Sequence, residues 1–191
     1  MILRATMTIM AMLVLLDPPV AQAEEPDAAV LAFVDRINET TGSAAPGDKS
    51  GIRSACGVLV SEAFDLDAMA VAASFDAWKR MNPSQKAAYR EALAARATRD
   101  CASRGKEVAG QKVEIVGVRS GKGNERQLAV QRADRAGRVA IWKIVPAGDR
   151  VRAIDIVVDG HSLVANARNQ ARQILESADG DINTLIRAIG S

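Results

Sequence analysis

The stretch RVAIWKIV (138–145), followed by Pro146-Ala147-Gly148-Asp149 and then VRAIDIVV (151–158), decides the fold. Apolar and charged residues alternate around Trp142 and Ile144, and again at Ile154, Ile156 and Val158. That period of two belongs to strands with one covered face. The same aliphatic texture recurs upstream at 112–118 and 126–133, with turn-forming residues over Ser120 to Asn124 and Asp134 to Gly137. Runs of this length at this spacing predict a four-stranded antiparallel meander. Most basic residues of the region fall between the apolar positions or in the turns, which predicts one dry sheet face and one charged face.

Helical patterns flank the meander. Val30, Phe33, Val34 and Ile37 recur at i, i+3, i+4 and i+7, the stripe of an amphipathic helix. Thr40 to Gly51 reads as loop, and a second helix places Ile52, Cys56, Leu59 and Ala63 on one face. Asp65 suits the cap of a short third helix, with Phe64 and Met69 as its hydrophobic staple. Asn82-Pro83-Ser84-Gln85 combines a cap, a first-turn proline and a capping-box glutamine. The helix it starts runs to about Ser103 and aligns Tyr89, Leu93, Ala97 and Cys101. After the meander, Ser162 caps a helix to about Glu176, and Asp181 caps a last one carrying Ile182, Leu185, Ile186 and Ile189. Helices, meander and helices make an α+β domain.

The chain has 191 residues, and its first 23 read as a secretory signal. Arg4 precedes an apolar run from Met7 to Leu16, Pro18 and Pro19 break it, and Ala21-Gln22-Ala23 offers a cleavage site. A membrane span needs about 20 apolar residues, and Asp17 ends this run early. No Cys follows at a lipoprotein position, so cleavage after Ala23 would release one unacylated domain, residues 24–191, into the periplasm. The net charge of +2 is unevenly spread: 24–103 carries a balance of −3, 104–152 one of +7 and 153–191 one of −2. Cys56 and Cys101 are the two cysteines. In an oxidising compartment such a pair is expected to bridge, and both stand on core-facing helical stripes.

The residues offer little catalytic chemistry. There is one histidine, His161, after Gly160 at an expected helix start, where a surface or capping role is the ordinary one. Two cysteines and one histidine do not close a structural zinc site without carboxylates, and no phosphate loop or nucleophile elbow is present. Asp65 and Asp67 are explained by the helix macrodipole. Asp155, between Ile154 and Ile156, must point outward or find a donor. An enzyme on this scaffold would have to use Asp155 or His161. The basic block lacks interleaved aromatics for nucleic-acid stacking. It leaves open an acidic partner protein, which would make the molecule an adaptor with a filled core, or anionic lipid headgroups.

At this point the residues resemble a known family. Phe64-Asp65-Leu66-Asp67-Ala68-Met69-Ala70, then Trp78 and Pro83-Ser84-Gln85-Lys86, are similar to the first half of the MlaC/toluene-tolerance family. Asp155 to Val164 (DIVVDGHSLV), with Arg168 and Gln170, resembles its strand-to-helix signature, and Asp179-Gly180-Asp181 fits its final helix start. The resemblance implies a monomeric, non-enzymatic periplasmic carrier with a cystatin-like fold and no cofactor beyond its lipid cargo. That cargo would be a phospholipid, or a related lipid such as a hopanoid, since one branch of the family accompanies hopanoid biosynthesis. The implied partners are an outer-membrane lipoprotein complex and an inner-membrane ABC transporter with an MCE-type subunit. Val151, Ile154, Ala167 and Ala171 stand where that family commonly has aromatics, Ser74 where it has Gly, and His161 where it has a small apolar residue.

Apolar phase nominates the walls of such a pocket: Phe64, Met69, Leu93, Trp142, Ile144, Ile154, Ile156, Val158 and Leu163. The same residues would also serve an ordinary filled core.

Overall fold

Short polar side chains start the helices. Asp27 accepts from the Val30 N–H at the head of α1 (Ala28–Gly42), and Asp48 from Ser50 and Gly51 at α2 (Lys49–Ala63). Asp65 accepts from the Ala68 N–H (2.9 Å) at α3 (Leu66–Ser74), behind buried Phe64 and Met69. Asn82 and Gln85 complete a reciprocal capping box for α5 (Pro83–Ser103). The computed structural model describes residues 24–74 and 76–191, so the expected signal over 1–23 lies outside the described residues. Within them two short helices join those anticipated, α4 (Asp76–Arg80) and α6 (Gly105–Val108).

The meander forms β1 (Val113–Ser120), β2 (Arg126–Arg132), β3 (Arg135–Ala147) and β4 (Arg150–Val158), all antiparallel and in sequential order. A fifth strand corrects the expected four: β5 (His161–Ser162) folds back on β4, pairing Val158 with His161. Asp159 and Gly160 both take positive φ, 51° and 79°, as the two-residue hairpin turn requires. A two-residue strand shows no alternation, so no periodicity announces it. The same turn places His161 in the strand rather than at the helix start. Ser162 then caps α7 (Leu163–Ser177), and Asp181 caps α8 (Ile182–Gly190).

Helices cover one face of the sheet. Val118, Leu128, Trp142 and Ile156 form one cross-strand row on that face, and Ile144 and Ala153 begin the next. The core they share with α1, α2, α3, α5, α7 and α8 includes Phe33, Tyr89, Leu185 and Ile189. The opposite face is not uniformly charged, as the residue pattern suggested. Gly117, Ala129, Ile141 and Val157 form an aliphatic row across it. Val116 and Val139 stand exposed nearby. The pattern misleads because the cations are not all on that face: Arg126 shares a row with Ile144 on the helix-covered face and pairs with Asp27, whereas Arg119 and Lys143 stand in the row beside the aliphatic one.

Cys56 of α2 and Cys101 of α5 are bridged, with Cα atoms 5.8 Å apart. The bond sits in a small satellite core of Ala44, Ile52, Ala55 and Ala109. It closes a loop of 45 residues, for which chain entropy gives about 4 kcal/mol. The Cys56→Ser/Cys101→Ser double variant is therefore expected to lose about 2–4 kcal/mol in urea unfolding.

Tyr89 is fully buried, and its hydroxyl has no hydrogen-bond partner among the described residues. Burial pushes the phenol from its ordinary 10.0 up to about 12. The raised value favours the neutral form, so its contribution to stability is intact below pH 10 and lost as pH rises toward 12. Tyr89 is the chain's one tyrosine, so an alkaline absorbance titration reads it alone, with an expected midpoint near 12. Tyr89→Phe removes an unpartnered hydroxyl and should be neutral to stabilising, within about 1 kcal/mol.

Candidate functional site: an apolar cavity with a polar mouth

A cavity of about 390 Å³ opens between the sheet and the helices, inside the range of about 300–1,000 Å³ usual for ligand sites. Its floor is aromatic. Phe64 stacks on Trp142 with ring centroids 5.6 Å apart, while Phe33 meets the same indole edge-on from beneath the lining. Leu59 and Val60 of α2, Leu66 and Met69 of α3, and Leu93 of α5 form walls, with Leu163 and Val164 of α7 opposite. Ala73, Ala97 and Ala167 also line it, and side chains this short leave space that larger ones would occupy. Among the described residues, the polar lining is confined to Arg96, Asp100, Arg104, Asn166 and Gln170. Asp100, Arg104 and Asn166 are exposed and mark the mouth.

The ninefold set nominated from apolar phase divides. Phe64, Met69, Leu93, Trp142, Ile156 and Leu163 are brought together on the lining, whereas Ile144, Ile154 and Val158 are not on it. A β-bulge accounts for the error on β4. Ile144 pairs with Ala153 and Lys143 with Asp155, so Ile154 is skipped in the register. The core-facing phase of β4 therefore changes from Val151 and Ala153 to Ile156 and Val158, and a single alternating phase through Ile154 does not exist. Ile144 faces the core but is completely covered, and Val158 lies beyond the cavity in the row of Ala140. The sequence pattern missed the polar mouth and the alanines. Asp100 lies on α5, Arg104 just past its end and Asn166 on α7, at positions that look like ordinary solvent-facing ones. Of the four aliphatics noted at aromatic positions, Ala167 alone lines the cavity.

The outer wall, α7, is held by Asp155. This carboxylate is only 5% exposed. Its Oδ1 accepts from the Val164 N–H (3.1 Å), and its Oδ2 accepts from Ser162 Oγ (2.7 Å) and Lys143 Nζ (3.0 Å). Ser162 Oγ in turn accepts from the Ala165 N–H (2.9 Å), so one carboxylate and one hydroxyl satisfy the first turn of the helix. Further along, Arg168 Nε donates to the Ala72 carbonyl at the end of α3 (2.7 Å), and Arg96 Nη1 donates to Gln170 Oε1 from α5. Asp155 is thus a positioning residue with both oxygens engaged. His161 is exposed on β5 and does not line the cavity.

Chemically, the cavity offers dispersion and desolvation. Each CH₂ moved from water to such walls is worth about 0.8 kcal/mol. Among the described residues, no cluster of three or more His, Cys, Asp or Glu side chains has metal-binding geometry, and no helix is long and apolar enough to cross a membrane.

A helix-covered antiparallel sheet enclosing an apolar cavity defines a binding protein for a small amphiphile or hydrophobe. The chain belongs to the MlaC family, whose pattern matches residues 29–191. A solved structure of a phospholipid-binding protein from Ralstonia solanacearum, in complex with a phospholipid, has the same fold: the TM-score is 0.70 at 17% identity, covering 85% of this chain and 93% of that one. No curated protein matches the chain at a significant level.

Replacing Asp155 by Asn should cost about 1–3 kcal/mol, since Lys143 loses its counter-ion and the Ser162 and Val164 donors lose a charged acceptor. Lys143→Met takes the counter-charge from a carboxylate that is only 5% exposed and should also cost about 1–3 kcal/mol. Paired urea titrations measure both, and each variant is expected to unfold at lower urea than the parent.

Proposed function

We propose that residues 24–191 act as one periplasmic, non-enzymatic lipid carrier, exported by a signal over 1–23 that is removed after Ala23. The cargo is a phospholipid or a related lipid such as a hopanoid. The carrier moves it between an outer-membrane lipoprotein complex and an inner-membrane ABC transporter with an MCE-type subunit. Membership of the MlaC family supports this reading. The observation that carries it is the apolar cavity of about 390 Å³, open at a polar mouth. Such a site holds hydrocarbon by area alone and leaves a headgroup near water, as an aqueous shuttle needs. Its likeness in fold to a protein solved with a phospholipid points the same way.

Native mass spectrometry and lipid extraction of the protein purified from an exporting host test the reading. Co-purifying lipid is expected, while a protein that stays empty after incubation with vesicles overturns it. Ala97→Phe fills part of the cavity without crowding a packed core. It should keep the melting temperature and lower lipid occupancy by about tenfold or more, the loss of two or three buried CH₂ groups.

A further inference from the structure

The volume of the cavity, about 390 Å³, limits how much hydrocarbon it can hold. An apolar cavity of about 150 Å³ takes one benzene ring, which is about 25 Å³ for each carbon. At that ratio this cavity takes about sixteen carbons, the length of one ordinary acyl chain. The space does not continue past its floor, because Phe64 and Trp142 close that end with buried Phe33 behind them. The neighbouring hollow between Phe33, Ile37, Leu59 and Ala63 measures about 10 Å³, room for about one water. Widening is opposed as well. The Cys56–Cys101 bond holds α2 to α5, while Asp155 and Arg168 hold α7 to the sheet and to α3.

A second chain would therefore stay outside, at the mouth. The exposed residues of the lining are Asp100, Arg104, Asn166 and Leu163, and of these only Leu163 is apolar. Each CH₂ carried from water into the walls raises affinity about fourfold, so about three or four uncovered CH₂ groups cost about a hundredfold. We infer that the site takes one acyl chain, and that its cargo is a single-chain amphiphile, a lysophospholipid or a free fatty acid, rather than a diacyl lipid. This rests on the carrier reading and chooses within it by the number of chains.

The test offers the exported protein vesicles containing dipalmitoyl phosphatidylglycerol and palmitoyl lysophosphatidylglycerol, and counts the bound chains by native mass spectrometry. One lyso lipid per protein is expected, favoured over the diacyl form by at least about a hundredfold relative to the vesicles. Titrations with lysophosphatidylglycerols and with fatty acids of rising length, kept below micelle formation, give the second measurement. Affinity should rise about fourfold per carbon and level off near about sixteen carbons, and the tighter of the two series identifies the head that the chain carries. Ala167→Leu adds three carbons to the lining and should move the levelling to about thirteen. Diacyl lipid bound one to one at the vesicle ratio overturns the inference and leaves the carrier reading standing. Two single-chain lipids per protein, or affinity that climbs well past sixteen carbons, overturns it in the same way. Failure to bind any of these lipids removes the carrier reading itself.

Discussion

The carboxylate of Asp155 attaches the cavity's outer wall to the sheet. Its position is expensive in isolation, since an ionised group in an apolar strand loses its hydration. Three donors offset that loss: the Ser162 hydroxyl, the Val164 N–H and Lys143 Nζ. Two of them belong to the start of α7, where the backbone has orphan donors and the helix dipole favours negative charge. The strand's need for donors and the helix's need for an acceptor are met by one contact. With that end fixed, Arg168 ties the helix to α3 and Gln170 meets Arg96 of α5. Asp155, Ser162, Arg168 and Gln170 are thereby members of one assembly that hangs α7 over the cavity.

A cavity survives in this fold because its walls are held independently of their mutual packing. Apolar voids cost stability in proportion to their size, and helices free to move would close on this one. The Cys56–Cys101 bond fixes α2 to α5, the ties just described fix α7, and the Phe64–Trp142 stack fills the floor. Cys101 itself lies on the lining, so the bridge holds part of the cavity wall directly. The alanines at 73, 97 and 167 then maintain the space by having nothing to fill it with.

Local rules carried the helices a long way. Caps at Asp65, Asn82, Ser162 and Asp181 are visible in the residues because each is a short-range contact with a fixed offset. The meander was visible for the same reason. What the residues did not show depends on partners distant along the chain. The bulge at Ile154 is defined by the register of β4 against β3, and it inverts the phase on which the choice of wall residues relied. β5 is too short to carry a period. Six of the nine nominated side chains reach the lining because Phe64, Met69, Leu93 and Leu163 come from helix stripes and their flanks, and Trp142 and Ile156 from one cross-strand row.

Charge shows the same limit most sharply. The +7 balance over 104–152 suggests a free basic surface. In the fold, Arg126 meets Asp27 from the chain's start, and Arg138 and Lys143 meet Asp159 and Asp155 from its end. Arg152 turns its guanidinium to the Ser61 and Phe64 carbonyls, bracing the link between α2 and α3. The basic block is thus partly spent on joining sheet to helices. Arg96, a partly buried cation on the cavity lining, comes instead from the segment with a net balance of −3. Its partners are one neutral amide and one well-solvated acid, which leave donor capacity at the mouth of an apolar cavity. Charge counted along a chain describes solubility and long-range attraction.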